Sequence, residues 1–199
     1  AYLNLARKVE GKDFIIEEKS LDIQLVENMY PEVKDFIKPR GEQQDLIDFV
    51  TKTHNGCCLM TLSVGLGKTT SAIMICQKLK QRMVCIMRPG YHGEQTEDSI
   101  SGWIKEFAKS TKVEPHEICT VSGNKELKSI INLALNNELH YKVILISNKT
   151  LQFYFKYYER YSEEEFKDLG FNATPMELGK ILGVDTVFVD EVHQDSHFQ

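Results

Sequence analysis

Residues 62–70 read LSVGLGKTT and join a short apolar segment, residues 57–62, to a longer segment, residues 68–81. The apolar segment predicts a β-strand, and the longer one predicts a helix that buries Ala72, Ile73 and Leu79 on one face. A glycine-rich loop between a strand and a helix lets backbone N–H groups approach an anion at the positive end of the helix dipole. This stretch therefore indicates an α/β fold organised around a phosphate-binding loop.

The loop supplies the residue types that a magnesium–triphosphate complex requires. Gly65 and Gly67 allow the backbone to approach closely, Lys68 would reach the β- and γ-phosphates, and the hydroxyl of Thr69 would ligate Mg²⁺. The strict GxxxxGK[ST] pattern has glycine where this chain has Leu62, so the match to the generic pattern is incomplete. The predicted ATP-binding residues of the loop are Gly65, Leu66, Gly67, Lys68, Thr69 and Thr70.

Two adjacent carboxylates, Asp190 and Glu191, follow a predicted apolar strand at residues 186–189. The carboxyl ends of parallel strands line the ligand crevice of such a sheet. Adjacent carboxylates in that position are costly without a cation. We predict that Asp190 binds Mg²⁺ together with Thr69, and that Glu191 orients and activates the attacking water. The predicted catalytic residues are thus Lys68, Asp190 and Glu191.

The rest of the chain alternates between predicted helices and predicted strands from residue 38 onward. The predicted helices cover residues 43–53, 68–81, 103–109 and 126–136, and the predicted strands cover residues 57–62, 83–87, 118–121, 141–147 and 186–189. Continuous apolar strands separated by helices predict a parallel sheet that is buried on both faces. Residues 151–182 form an aromatic-rich helical insert, in which Ser162 is the predicted N-cap of an acidic helix.

The first part of the chain, residues 1–37, reads as a small N-terminal appendage separate from the main domain at residues 38–199. Within the appendage, Pro31 predicts the start of a short helix at residues 32–37.

Composition excludes several classes of protein. The chain has 199 residues and a net charge of −5, which argues against a protein that coats nucleic acid by bulk positive charge. Its five cysteines form no CxxC pair, so neither a zinc site nor a disulfide framework is expected. No apolar run approaches the roughly 20 residues of a membrane span, and no secretory signal is recognisable, so we expect an intracellular protein of the cytoplasm or nucleus.

Taken together, these motifs resemble the superfamily 2 helicases and translocases, in particular the Swi/Snf-type and DExH-like ATPases. The resemblance covers residues 38–199: residues 62–70 are similar to motif I in its GLGKT form, and residues 187–193, VFVDEVH, are similar to motif II. Arg40 opens a stretch that resembles the family's R-x-x-Q element, in which Gln43 would recognise the adenine edge. The resemblance implies a RecA-like P-loop NTPase domain, with ATP and Mg²⁺ as cofactors.

Weaker similarities extend the resemblance to nucleic acid. Residues 84–90, with the W-x-x-E-F stretch at residues 103–107, resemble motif Ia, and residues 144–151 resemble motif Ib. In the family these motifs contact the sugar–phosphate backbone, which implies sequence-independent and salt-sensitive binding. The residues implicated are Arg88, Ser147, Lys149 and Thr150. His193 would couple the ATP site to neighbouring motifs, and the GLGKT form favours double-stranded DNA.

The resemblance also implies a second RecA-like domain with arginine fingers, which would follow residue 199 in a longer protein. The leading hypothesis is the ATP-binding domain of an ATP-dependent DNA helicase or translocase. Two alternatives remain open: the motor of a type I or III restriction enzyme, and a nucleotide-binding regulatory module without hydrolysis. A nuclease or methylase domain elsewhere in the protein would favour the first alternative. The presence of Lys68, Thr69, Asp190 and Glu191 argues against the second.

Overall fold

A computed structural model describes residues 29–52, 67–88 and 99–190 of the chain. The α-helices, in chain order, are α1 (Gly41–Lys52), α2 (Lys68–Leu79), α3 (Ser99–Ser110), α4 (Asn124–Leu135), α5 (Asn148–Arg160), α6 (Glu163–Asp168) and α7 (Leu178–Ile181). The strands are β1 (Met83–Met87), β2 (Ile118–Val121), β3 (Val143–Ser147) and β4 (Val187–Val189), and a 3₁₀ turn at Pro115–Glu117 precedes β2. No helix in the described ranges is of a length and apolarity that would let it cross a bilayer.

The described strands form one parallel sheet in the order β2–β3–β1–β4. Cys85 of β1 is in register with Leu145 of β3 on one side and with Phe188 of β4 on the other. The parallel sheet flanked by helices confirms the predicted α/β class. The predicted strand at residues 57–62 lies outside the described residues.

Apolar side chains cover both faces of the sheet. On one face, Val84 and Ile144 belong to a buried cluster with residues of α4, α5 and α6. On the other face, Cys85 and Leu145 belong to a second cluster with residues of α1, α2 and α3. Because successive side chains of a strand point to opposite faces, burial of both faces explains why these strands are apolar almost throughout.

The prediction of a helix at residues 32–37 is wrong, because the structure has no helix there. Val33 forms an antiparallel bridge with Thr111, and the Lys34 N–H donates to the Ser110 carbonyl over 2.9 Å. A six-residue helix is marginal in isolation, since its nucleation cost is spread over very few hydrogen bonds. Pairing with the chain just after α3 satisfies the same backbone groups, so the tertiary contact overrides the local preference for a helix.

Three aromatic residues of the predicted insert at residues 151–182, namely Tyr154, Phe166 and Phe171, belong to the core, whereas Phe153, Phe155 and Tyr158 are exposed. Phe166 and Phe171 stack with their ring centroids 5.0 Å apart, and Tyr154 lies 5.1 Å from Phe171. The Tyr154 hydroxyl donates to the Ala173 carbonyl over 2.5 Å, so the polar end of this buried ring has a partner. The insert therefore covers one face of the sheet and completes the hydrophobic core there.

The predicted N-cap of the acidic helix α6 is confirmed. Ser162 Oγ accepts a hydrogen bond from the Glu165 N–H over 3.3 Å, and Glu165 Oε2 accepts one from the Ser162 N–H over 2.9 Å. This reciprocal pair is a capping box, and it fixes where the helix begins.

A buried arginine, Arg82, immediately precedes β1, at the end of the sheet where its parallel strands begin. Arg82 donates to three backbone carbonyls, those of Tyr141 over 2.5 Å, Leu182 over 2.6 Å and Leu139 over 2.9 Å. Burial lowers the pKa of this guanidinium to about 10, which leaves it charged at neutral pH. Arg82 thus joins β1 to the segments that lead into β3 and β4.

Candidate nucleotide-binding site

The carboxyl ends of β1, β3 and β4 meet at one edge of the sheet. Met87 is in register with Ser147 at the end of β3, and the Asp190 N–H donates to the Ile86 carbonyl over 2.9 Å. The helices that follow β1 and β3 pack on opposite faces of the sheet, since α3 and α5 contribute to different core clusters. A parallel sheet opens a ligand crevice where neighbouring connections diverge in this way.

Gly67 lies at the N-terminus of α2 in a left-handed conformation, with φ 77° and ψ 42°. A Cβ atom at this position would lie 2.5 Å from Nε2 of Gln43, which is closer than non-bonded atoms can approach. The left-handed backbone favours glycine, and any Cβ would also displace the end of the Gln43 side chain. The structure thus supplies a physical reason for the second glycine of the loop, while Gly65 and Leu66 lie outside the described residues.

Gln43 links the R-x-x-Q element to the loop. Its Oε1 accepts a hydrogen bond from the Arg40 N–H over 2.8 Å, and its Nε2 lies 3.4 Å from the Gly67 carbonyl oxygen as donor. A cleft of about 350 Å³ is lined by Arg40, Gly41, Glu42 and Gln43. Recognition of an adenine by Gln43 stays a prediction.

The first turn of α2 presents the other loop residues. Lys68 and Thr69 are half-buried, whereas Ser71 is buried and its hydroxyl donates to the Gly67 carbonyl over 3.0 Å. Thr70 Oγ1 donates to Glu106 Oε1 of α3 over 3.0 Å. The hydroxyl of Thr70 therefore contacts α3, and any contact of this residue with a nucleotide would come from its backbone.

Asp190 follows β4 at the crevice edge and receives a hydrogen bond over 2.8 Å from Nε1 of Trp103 to its Oδ2. Burial raises the pKa of the Cys85 thiol, and the negative charge of Asp190 raises it further. Asp190 is thus electrostatically close to Cys85 of β1. No group of three or more His, Cys, Asp or Glu side chains suited to a metal ion occurs in the part of the chain that the structure describes.

The residues present nevertheless fit Mg²⁺. A carboxylate and a hydroxyl are the hard oxygen ligands that Mg²⁺ prefers, and this ion usually takes only one or two protein ligands beside water and phosphate. Asp190 and Thr69 provide these two groups, and the left-handed Gly67 directly precedes the first turn of α2, whose N–H groups suit an anion. Glu191 and His193 lie outside the described residues.

Helix α3 contacts both the first turn of α2 and Asp190 at the end of β4. Trp103 and Glu106 are three residues apart, which places them on the same face of the helix. Trp103 contacts Asp190, and Glu106 contacts Thr70. The sequence showed this pair only as part of a W-x-x-E-F stretch. Its i, i+3 spacing was a signal that the two side chains act on one surface, but their partners could not be found from spacing.

The residues predicted to contact nucleic acid divide into two pairs. Lys149 is exposed and Arg88 is half-buried, so both side chains are at least partly accessible to solvent. Ser147 is 0% exposed and Thr150 is 2% exposed, because α5 begins immediately after β3 and folds these side chains inward. The two side chains are therefore buried in this structure, and contact of Ser147 and Thr150 with nucleic acid stays a prediction.

Comparison with known proteins gives no further information. No protein-family model, no curated protein and no solved structure matches this chain.

Proposed function

We propose that this chain is the ATP-binding domain of an ATP-dependent DNA helicase or translocase, which couples ATP hydrolysis to movement on nucleic acid. The observation that carries the proposal is the connection of two distant motifs by α3. Through Trp103 and Glu106, this helix contacts both Asp190 at the end of β4 and Thr70 in the first turn of α2. A phosphate loop and an acidic strand end held by one helix are the parts that a nucleotide-hydrolysing site requires.

The ATP-binding role is supported by the N-terminus of α2. Gly67 brings the backbone into a left-handed turn, and the first N–H groups of the helix have no partner one turn earlier within it. These groups, with the positive end of the helix dipole, favour an anion. Lys68 would hold the β- and γ-phosphates as a point charge, and Gln43 would support the loop through its contact with Gly67.

The hydrolytic role is assigned to the acidic strand end. The indole N–H of Trp103 donates a hydrogen bond to Oδ2 of Asp190. The second carboxylate oxygen, Oδ1, would bind the metal ion or one of its waters. Bound Mg²⁺ would neutralise charge on the phosphates and orient them for in-line attack. Glu191, the next residue, would accept the proton of the attacking water.

A nucleic-acid track is proposed along the same edge of the sheet. Arg88 follows β1 and Lys149 lies in the first turn of α5, so two cationic residues follow neighbouring strands. The chain as a whole carries a net charge of −5, so binding would depend on such a local track. Contacts with phosphates alone carry no base specificity, and the interaction should weaken as salt rises.

ATP turnover by the full-length protein tests the proposal. It is measured without polymer and with double-stranded DNA, single-stranded DNA or RNA, for the wild type and for Glu191→Gln and Lys68→Ala, with Lys52→Ala as a control at an exposed lysine of α1. We expect one polymer to stimulate turnover strongly, and both site variants to abolish it while the control retains it. Tight ATP binding without polymer-dependent turnover would contradict the motor function and favour the regulatory module.

A further inference from the structure

We propose that Trp103 and Glu106 are positioning residues that set the affinity of the site for Mg²⁺, an inference that rests on the proposed function. Together with their partners Asp190 and Thr70 they form what we call the α3 brace. Neither residue would touch the nucleotide. Each would act by fixing the place of a group that does.

Trp103 fixes the carboxylate of Asp190. The side chain is 7% exposed and packs beside Phe107 in the core cluster, with ring centroids 6.0 Å apart, so its direction is determined by packing. An indole N–H can only donate, and here it donates to Oδ2 over 2.8 Å. The bond selects one orientation of the carboxylate, in which Oδ1 is left for the metal ion or its water.

Glu106 fixes the first turn of α2. Its Oε1 accepts hydrogen bonds from Thr70 Oγ1 over 3.0 Å and from Ser110 Oγ over 2.6 Å. Ser110 lies one turn further along α3 and holds the Glu106 side chain in position. Thr70 directly follows Thr69, so this contact restricts the rotation of the helical turn that carries the second proposed metal ligand.

The brace therefore sets the separation between the two ligands. Asp190 and Thr69 come from elements far apart in the chain, and α3 contacts both elements. Mg²⁺ requires near-ideal octahedral geometry with ligand distances of about 2.0–2.1 Å, so small displacements of a ligand weaken its binding. Groups that orient metal ligands typically change metal affinity by about 10- to 100-fold when they are removed.

The test measures binding of radiolabelled ATP to the full chain by equilibrium dialysis, in EDTA and at graded Mg²⁺. We expect Trp103→Phe to raise the Mg²⁺ concentration at half-maximal enhancement about tenfold, while the ATP affinity in EDTA stays unchanged. Ile130→Val, a buried change on the opposite face of the sheet, controls for general destabilisation and should leave the midpoint unchanged. An unchanged midpoint in Trp103→Phe would refute the brace and leave the proposed function standing.

Two further arms keep the test decisive. If Trp103→Phe does not fold, Thr70→Val removes the other end of the brace, and the same rise in the Mg²⁺ midpoint is expected; its absence refutes the proposal. Trp103 is the single tryptophan of the chain, so adding Mg²⁺ to the ATP complex should change its emission in the wild type but not in Asp190→Asn. If the wild type and Lys68→Ala bind ATP equally poorly, the proposed function fails and the brace fails with it.

Discussion

Replacing Gly67 with alanine tests the conformation at the start of α2. The left-handed backbone at φ 77° costs an L-residue about 1–2 kcal/mol relative to glycine. The new Cβ would also lie 2.5 Å from Nε2 of Gln43, so the amide must withdraw by about 1 Å to reach ordinary contact. Weakening of the Gln43 hydrogen bonds adds about 0.5–1.5 kcal/mol.

The net effect is smaller than the sum of these terms. Alanine restricts the unfolded chain more than glycine does, which stabilises the folded state by about 0.4–1 kcal/mol. We therefore expect Gly67→Ala to lower the free energy of unfolding by about 2 kcal/mol. Urea titration followed by circular dichroism measures this difference, provided that the dependence on urea has the same slope in both proteins.

A double-mutant cycle separates the two causes. In a Gln43→Ala background the side-chain clash is absent, so Gly67→Ala should cost only about 1 kcal/mol from its backbone. Gly102→Ala is the matched control: its Cβ meets nothing within 4 Å, and alanine in this helix should stabilise the protein by up to about 1 kcal/mol. A change below 0.5 kcal/mol in Gly67→Ala, or strict additivity with Gln43→Ala, would refute the reasoning.

Three further predictions concern the framework. Arg82→Met leaves buried carbonyls without their donor and should lower the free energy of unfolding by about 3 kcal/mol or more in urea titrations; a loss under 1 kcal/mol would contradict it. Tyr154→Phe leaves the Ala173 carbonyl without its hydroxyl donor and should cost about 1–2 kcal/mol; an unchanged midpoint would count against that bond. Burial opposes ionisation of Glu117, but its hydrogen bonds to Lys142 and to a backbone N–H lower its pKa below the usual 4.5. The stabilisation from this pair is present above pH 4.5 and is lost as the pH falls through the lowered folded pKa. Lys142→Met should therefore lower the free energy of unfolding by about 0.5–1 kcal/mol at pH 7 and by almost nothing at pH 2. A loss of stability that persists at pH 2 would argue against this ion pair.

Local pattern predicted the regular elements well. The strands at residues 83–87 and 118–121 have the predicted bounds, and α2 begins at Lys68 as expected. Apolar runs and helical periodicity are properties of neighbouring residues, so they can be recognised without knowledge of the fold. The helix predicted at residues 32–37 failed for the opposite reason, since a bridge to Thr111 decided the conformation there.

The candidate site was predictable as a set of chemical groups. A glycine before Lys68 and a carboxylate after an apolar strand identify what each group can bind, because that chemistry belongs to the residue types and their order. The burial of Ser147 and Thr150 was not predictable, because it depends on where α5 packs. Sequence order gives no information on that packing.

By itself the sequence determined the α/β class, the parallel sheet and the identity of the loop and acidic residues. Only the tertiary structure decided that Gln43 supports Gly67, that Arg82 joins three chain segments, and that α3 connects Asp190 to the first turn of α2. The physical reason is that these contacts join residues far apart in the chain. Their partners are selected by the packing of whole helices on the sheet, which no local pattern specifies.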